Sequence, residues 1–291
     1  MTESEREKFC ERDRFILSDA RALKIYCWGA RPKPKGILLF AHGMLEHAGR
    51  YADWGDEMAR RGWTVFAVDH AGHGQSDGEK IWMDHFSDLV DDFCEVTERV
   101  SDVFPKTPLF LVGLSMGGGI AIQTAHRLRQ TNRLAGLVLL APALRVHPRL
   151  FPWLRPLAIL IDRIAPRWRL VKGGTNGLSR NKAMIDDFRA DPYVFHGRMP
   201  VHYGVENIRA LKVNRACAAD LSLPILALQG SGDLITDPAG PPEFIQNSPS
   251  TDKTLRIYPH LYHELLHEPE RMEVIGDLDK WLEEHLEGGN N

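Results

Sequence analysis

Short runs of consecutive apolar residues alternate with longer stretches in which apolar residues return every three or four positions. Residues 36–41, 64–68, 109–112 and 137–140 are apolar almost without a break, and 225–228 and 254–257 follow the same habit later in the chain. Runs of this kind suit strands buried on both faces of a parallel sheet. Between them, Phe86, Leu89, Val90, Phe93, Val96, Val100 and Val103 share one helical face, which predicts a helix over 86–104. Further helices are predicted over 51–61, stopping at Gly62, from the turn after 109–112 through Arg129, and over 272–286. Residues 15–17 and 23–28 read as an opening antiparallel pair. Strand–helix alternation of this type predicts an α/β fold, a mostly parallel sheet covered by helices on both faces.

The alternation breaks between 144 and 215, a stretch rich in Pro, Trp and Arg that reads as several short helices. We therefore expect an α/β core formed by 1–143 and 216–291, with 144–215 as a helical cap inserted between two strands. From Arg145 to Arg215 there are 14 Lys and Arg against 5 Asp and Glu, whereas the whole chain is close to neutral at −3. A basic insertion on an acidic body suits either a solvated outer face or contact with anionic lipid. Its apolar stretch 150–161 suits packing onto the body, an acyl tunnel or a lipid surface.

Overall composition narrows the picture further. With 43% hydrophobic and 26% charged residues in 291, the chain can build a large core, and its charge gives no footprint for nucleic acid. Cys10, Cys27, Cys94 and Cys217 are widely spaced and form no CxxC, which argues against a disulfide framework or a zinc site. The first fourteen residues are dense in charge with no apolar core, so no secretion signal is expected, and the apolar runs are too short to span a bilayer. The expected location is the cytoplasm, with peripheral membrane contact through the cap.

Gly113-Leu114-Ser115-Met116-Gly117 carries the chemistry. It follows a predicted strand and precedes a predicted helix, the setting in which G-x-S-x-G forces its central residue into a sharp turn and exposes the hydroxyl. Side chains flanking such a turn would collide, hence the glycines at 113 and 117. Ser115 is the expected nucleophile. A serine hydroxyl needs a base, and the base an orienting acid, from loops after later strands. Asp233 follows the 225–228 strand within a small-residue loop; Asp237 is its rival. His263 follows the 254–257 strand, with His260 and His267 as competitors; His263 is the expected base and Asp233 the expected acid. The oxyanion hole would use the backbone N–H of Met116 and of Met44, the latter in the loop after 36–41, with His42 bracing that loop. No cofactor and no metal are called for. Gly72-x-Gly74 lacks the spacing of a dinucleotide fingerprint.

Four ordered motifs resemble one family. His42-Gly43-x-x-Glu46-His47-x-x-Arg50-Tyr51, Asp69-His70-x-Gly72-His73-Gly74-Gln75-Ser76-x-Gly78, Gly113-x-Ser115-Met116-Gly117-Gly118 and Gln229-Gly230-Ser231-x-Asp233 are similar to the monoacylglycerol lipase and lysophospholipase branch of the α/β-hydrolases, often grouped with serine aminopeptidase-like hydrolases. The resemblance runs from about Phe15 to Leu286. It implies an α/β-hydrolase fold with a cap, the roles given above for Ser115, Asp233 and His263, and Glu46 and Arg50 near the polar head of the substrate. It departs at Leu114, where many members have histidine. The activity expected is hydrolysis of single-chain lipid esters, monoacylglycerol first. The alternatives are a lysophospholipase, a general carboxylesterase or aminopeptidase-like hydrolase, and a ligand-binding receptor on a hydrolase scaffold.

Overall fold

The computed structural model describes residues 3–31, 33–148 and 155–286. Its frame is an eight-stranded sheet in the order β1-β2-β4-β3-β5-β6-β9-β10. The strands are β1 (Arg14–Ile16), β2 (Ala22–Trp28), β3 (Ile37–Ala41), β4 (Thr64–Val68), β5 (Leu109–Leu114), β6 (Gly136–Leu140), β9 (Ile225–Gly230) and β10 (Lys253–Tyr258). β1 and β2, and β2 and β4, pair antiparallel; β4, β3, β5, β6, β9 and β10 run parallel.

Every residue of β3, β4, β5, β6 and β9 is buried, because alternate side chains enter two different cores. Ile37, Leu39 and Ala41 pack on one side, and Leu38 and Phe40 on the other. Helices α3 (Phe86–Val103), α4 (Met116–Leu128) and α7 (Val201–Cys217) cover the first face; α2 (Ala52–Arg60) and α9 (Arg271–Glu284) cover the second. Helix α8 (Gly240–Asn247) links β9 to β10, and α1 (Glu3–Cys10) lays Phe9 edge-on against Phe66 of β4 with ring centroids 5.6 Å apart.

The insertion leaves the sheet after β6 and returns at β9, the neighbouring strand. It holds α5 (Arg155–Ile164), β7 (Arg169–Lys172), α6 (Lys182–Ala190), β8 (Arg198–Pro200) and α7. β7 and β8 form a small antiparallel pair of their own where the sequence predicts only helices. Their ladder is made by backbone groups, and all four residues of β7 are exposed, so side-chain periodicity carries no trace of it. Helix α7 runs along α4: Gln123 Nε2 donates to Asn214 Oδ1 at 2.8 Å, and Asn214 Nδ2 donates to Ala143 O at 2.9 Å. Of the apolar stretch 150–161, residues 150–154 lie outside the described residues. The remainder belongs to α5, where Leu157 and Leu160 are exposed. The Gly288–Asn291 tail also lies outside the described residues.

Candidate active site

β5 runs straight into Ser115, and the turn there is sharp. Ser115 has φ 53° and ψ −116°, a backbone state that L-residues hold only when their surroundings impose it. A Cβ at Gly113 would stand 2.4 Å from Gly117 O, and one at Gly117 would stand 2.0 Å from Ala41 O. Only hydrogen fits at either place. Ser115 is held by its own N–H donating to Leu140 O at 3.0 Å and by its C=O accepting from Ala143 N at 2.8 Å. Helix α4 starts at Met116, so its first N–H groups are free of intrahelical partners.

The loop after β3 comes close to this elbow. A Cβ on Gly43 would lie 3.6 Å from Ser115 Cβ. Leu45 has φ +68°, so this loop too is held in an uncommon conformation. Among the described residues no protein group accepts a hydrogen bond from the N–H of Met44 or of Met116. His42 braces the loop as a neutral ring: Nδ1–H donates to Gly43 O at 2.7 Å, and Nε2 accepts from His70 N–H at 3.0 Å.

Asp233 and His263 meet directly. His263 Nδ1 lies 2.8 Å from Asp233 Oδ2, and both side chains are buried. Asp233 also accepts from Thr236 Oγ1 (2.7 Å), Gln229 Nε2 (3.0 Å) and the N–H groups of Ile235 (2.7 Å) and Thr236 (3.0 Å). Burial works to raise this carboxyl, but His263, the Thr236 hydroxyl and the Ile235 N–H hold it below the usual carboxylate range. Burial likewise works to lower His263, yet Asp233 prevails and raises the imidazole above its ordinary value. The rivals stand elsewhere. Asp237 pairs with Arg145 at 3.1 Å. His260 is exposed at φ +65°. His267 is engaged with Glu264 Oε2 at 2.9 Å and Arg50 O at 3.1 Å.

Ser115 and His263 line the same cavity of about 700 Å³, without a hydrogen bond between them. Such contacts often close only when substrate is bound. The cavity wall includes Gly43, Met44, Leu45 and Glu46 from the β3 loop, and Leu234 and Ile235 beside Asp233. The insertion adds Lys172, Leu178, Phe188, Arg189, Phe195 and His196. These insertion residues carry no motif and could not be picked out from the sequence.

Glu46 lies in the wall, and Arg50 stands behind it, with Nε 3.1 Å from Glu46 Oε2 and its guanidinium over the Phe188 ring. Glu46 Oε1 accepts from Gly43 N–H at 2.8 Å and from Tyr51 Oη at 2.7 Å. Tyr51 Oη is also 3.0 Å from Glu264 Oε2, so two buried carboxyls share one phenol. Burial, and then the charge of Glu264, push Glu46 up to about 7. Burial opposes ionisation of Glu264 as well, but His267 and Arg50 keep it below the ordinary range. Glu264 also lines the cavity; its only trace in the sequence is its place directly after His263. Among the described residues no group of three or more His, Cys, Asp or Glu side chains is placed to hold a metal ion.

The family model for serine aminopeptidase, S33, matches residues 32–270. The chain belongs to this family. Within the S33 hydrolases it is 33% identical to the monoglyceride lipase of Rattus norvegicus over 274 residues, 93% of this chain and 90% of the relative. It is 32% identical to the monoacylglycerol lipase of Mycolicibacterium smegmatis, covering 89% of this chain and 92% of that one. Among solved structures, the Paleococcus ferrophilus monoacylglycerol lipase superposes with a TM-score of 0.80 at 28% identity, covering 90% of this chain and 99% of that one. A soluble variant of the Saccharomyces cerevisiae monoglyceride lipase, in complex with a substrate analog, gives 0.82 at 23% identity, over 94% and 96% of the two chains. The chain is thus an S33 hydrolase of α/β-hydrolase fold in the monoglyceride lipase branch. Among the described residues no helix is long and apolar enough to cross a membrane.

Proposed function

We propose that the chain hydrolyses monoacylglycerols to glycerol and fatty acid through Ser115, His263 and Asp233. His263 Nε2 takes the Ser115 proton as Oγ attacks the ester carbonyl. The N–H groups of Met44 and Met116 receive the developing oxyanion, each worth on the order of 3 kcal/mol to the transition state. His263 then passes the proton to the leaving glycerol oxygen. A water, deprotonated by the same imidazole, releases the acid and restores Ser115. Asp233 holds His263 with its proton on Nδ1, leaving Nε2 as the acceptor.

The observation that carries this reading is the 2.8 Å bond from His263 Nδ1 to Asp233 Oδ2, made at the wall of a cavity that Ser115 also lines. A cavity of about 700 Å³ is within the range that encloses a drug-sized ligand. Leu45, Leu178, Phe188, Phe195, Leu234 and Ile235 offer the acyl chain an apolar wall, and Glu46, backed by Arg50, faces the glycerol hydroxyls. The 144–215 insertion is read as the cap, since Lys172, Leu178, Phe188, Arg189, Phe195 and His196 line this cavity, while α7 packs on the sheet. Leu157, Leu160, Ile164, Trp168 and Val171 are exposed on α5 and at β7, within the basic insertion; they support contact of the cap with lipid. The names of the relatives support the choice of monoacylglycerol.

A lysophospholipid is the second reading, favoured by Lys172 and Arg189 in the cavity wall, which would welcome a phosphate. Hydrolysis of 1-monooleoylglycerol, oleoyl lysophosphatidylcholine and an aminoacyl arylamide under one condition decides the matter. The expected order places monooleoylglycerol first and the arylamide inert. A faster lysophospholipid would install the second reading, and turnover of the arylamide alone would overturn both.

A further inference from the structure

β10 ends at Tyr258, and His263 lies on the loop beyond it. No sheet ladder fixes that loop, so its position must come from elsewhere. Three consecutive N–H groups centred on His263 show where. Tyr262 N–H donates to Glu268 Oε2 at 3.2 Å, His263 N–H to Gly177 O at 3.4 Å, and Glu264 N–H to Leu178 O at 2.7 Å. Glu268 is 0% exposed, and it also accepts from Arg180 N–H and from Arg180 Nε, each at 2.6 Å. The carboxylate therefore joins the loop that carries His263 to the segment 177–180 of the insertion. Ser179 Oγ and Asn181 Nδ2 add bonds to His267 O at 3.3 Å. On its other side this segment meets the Asp233 loop, since a Cβ on Gly177 would touch Leu234 Cβ at 2.7 Å.

From Asn181 the chain enters α6, whose Phe188 and Arg189 face the cavity. Beyond that helix Asp191 Oδ2 lies 2.8 Å from His47 Nε2, and Phe195 N–H donates to Leu45 O at 2.8 Å. The α6 region is thus tied at its start to the loop of His263 and at its end to the loop of Met44.

We infer that the buried Glu268–Arg180 pair is a clasp that sets the position of the His263 backbone, which makes Glu268 a positioning residue for ester hydrolysis. The inference rests on the reading of His263 as the base. A carboxylate taken fully out of water is tolerated only with its donors in place. Losing the clasp releases 177–180 and lets the loop drift, and a displacement of about 1 Å at a reacting group costs on the order of 100-fold in rate.

Glu268→Gln, Arg180→Met and Arg180→Lys test this in the full chain, with hydrolysis of a monoacylglycerol followed across pH and thermal unfolding alongside. Glu268→Gln and Arg180→Met are expected to lower kcat between about 10- and 100-fold, with KM changed by less than about 3-fold. The double variant should be no worse than either single, and Arg180→Lys should recover part of the rate. The acid limb of the kcat profile should move to lower pH. His263 is raised by Asp233, with Glu264 and Glu46 also facing it and His267 and Arg50 behind Glu264, and a looser pair returns it toward its ordinary value. Simple loss of folded protein would scale the rate at every pH and leave the limb in place; that result overturns the inference. Should Glu268→Gln not fold, Arg180→Met decides, since the Arg180 side chain is already 31% exposed and methionine keeps most of its apolar stem. Ser115→Ala is run beside them. If it keeps its activity, the reading of the site falls and the clasp with it. If it is inactive while Glu268→Gln and Arg180→Met match the parent, the clasp alone is refuted.

Discussion

A cluster of three buried imidazoles and the single buried imidazole of His263 are tuned in opposite directions. His42, His70 and His73 are packed against one another, with the His42 ring 4.2 Å from His70 and 5.4 Å from His73. Burial drives all three down, joined at His42 and His70 by the charge of neighbouring imidazoles and at His73 by Lys80: His42 well below its ordinary value, His70 to about 3 and His73 to about 4. His73 is committed at both nitrogens, to Ala71 O at 3.0 Å and to Tyr203 Oη at 2.8 Å. His263 is equally buried, but it faces Asp233 and is raised instead. Burial alone makes a histidine a neutral hydrogen-bonding brick; burial beside a carboxylate makes it a base that can carry charge for the length of a reaction.

Removing the carboxylate erases that difference most completely. Asp233→Asn would present an amide N–H to His263 Nδ1 and favour the tautomer with its proton on Nε2, aimed at Ser115. We expect kcat to fall about 10⁴-fold, measured on a soluble short-chain ester, with the fold kept. An unchanged kcat would place the base elsewhere. Next in size is Gly43→Ala. Its methyl would sit 2.7 Å from Glu46 Oε1 and push the oxyanion loop, so we expect a loss of about 10- to 100-fold in kcat, the range spanned by misplacing a donor.

The contrasting trio predicts an effect on stability rather than rate. A histidine depressed in the folded state gives its full stability above about pH 6.5 and loses it as the pH falls toward the folded value. Each such group steepens acid unfolding by about 1.4 kcal/mol per pH unit within that window. His70 Nε2 has no partner among the described residues, and its ring packs near Phe93. His70→Phe should therefore move the acid unfolding midpoint to lower pH while keeping kcat within about 3-fold of the parent. Acid unfolding at the parental midpoint would show that these rings do not resist protonation as their burial implies.

Glu46 offers the smallest effect, and its sign is the reverse of an ordinary carboxylate. Its folded value of about 7 lies above the ordinary one, so its ionisation removes stability as the pH rises from about 4.5 through 7. Glu46→Gln cannot ionise. Its Tm relative to the parent should rise between pH 5 and pH 8; a difference that stays flat or falls would mean Glu46 is an ordinary ion of Arg50.

Most of the frame is legible in the sequence because consecutive apolar residues leave few options. β4 and α3 fall where the pattern places them, within a residue at each end, and β5 extends two residues further to abut Ser115. Asp233 and His263 could be named because each follows a strand at the edge where Ser115 emerges. What stays hidden depends on partners far along the chain. α1 shows little apolar periodicity and buries only Phe9 and Cys10. α8 opens on Gly240, Pro241 and Pro242, which read as a break. The Glu268–Arg180 clasp joins residues 88 positions apart, through backbone N–H groups that have no signature.

On the mechanism proposed above, His263 and no other imidazole activates Ser115. The most direct measurement is the rate at which a fluorophosphonate modifies Ser115, located by peptide mass spectrometry, in the parent and in His263→Gln, His73→Gln and His267→Gln. We expect His263→Gln to slow modification at least about 1000-fold, while the other two variants label within about tenfold of the parent. Labelling of Ser115 at the parental rate in His263→Gln, or its loss only in one of the other two, would contradict that mechanism.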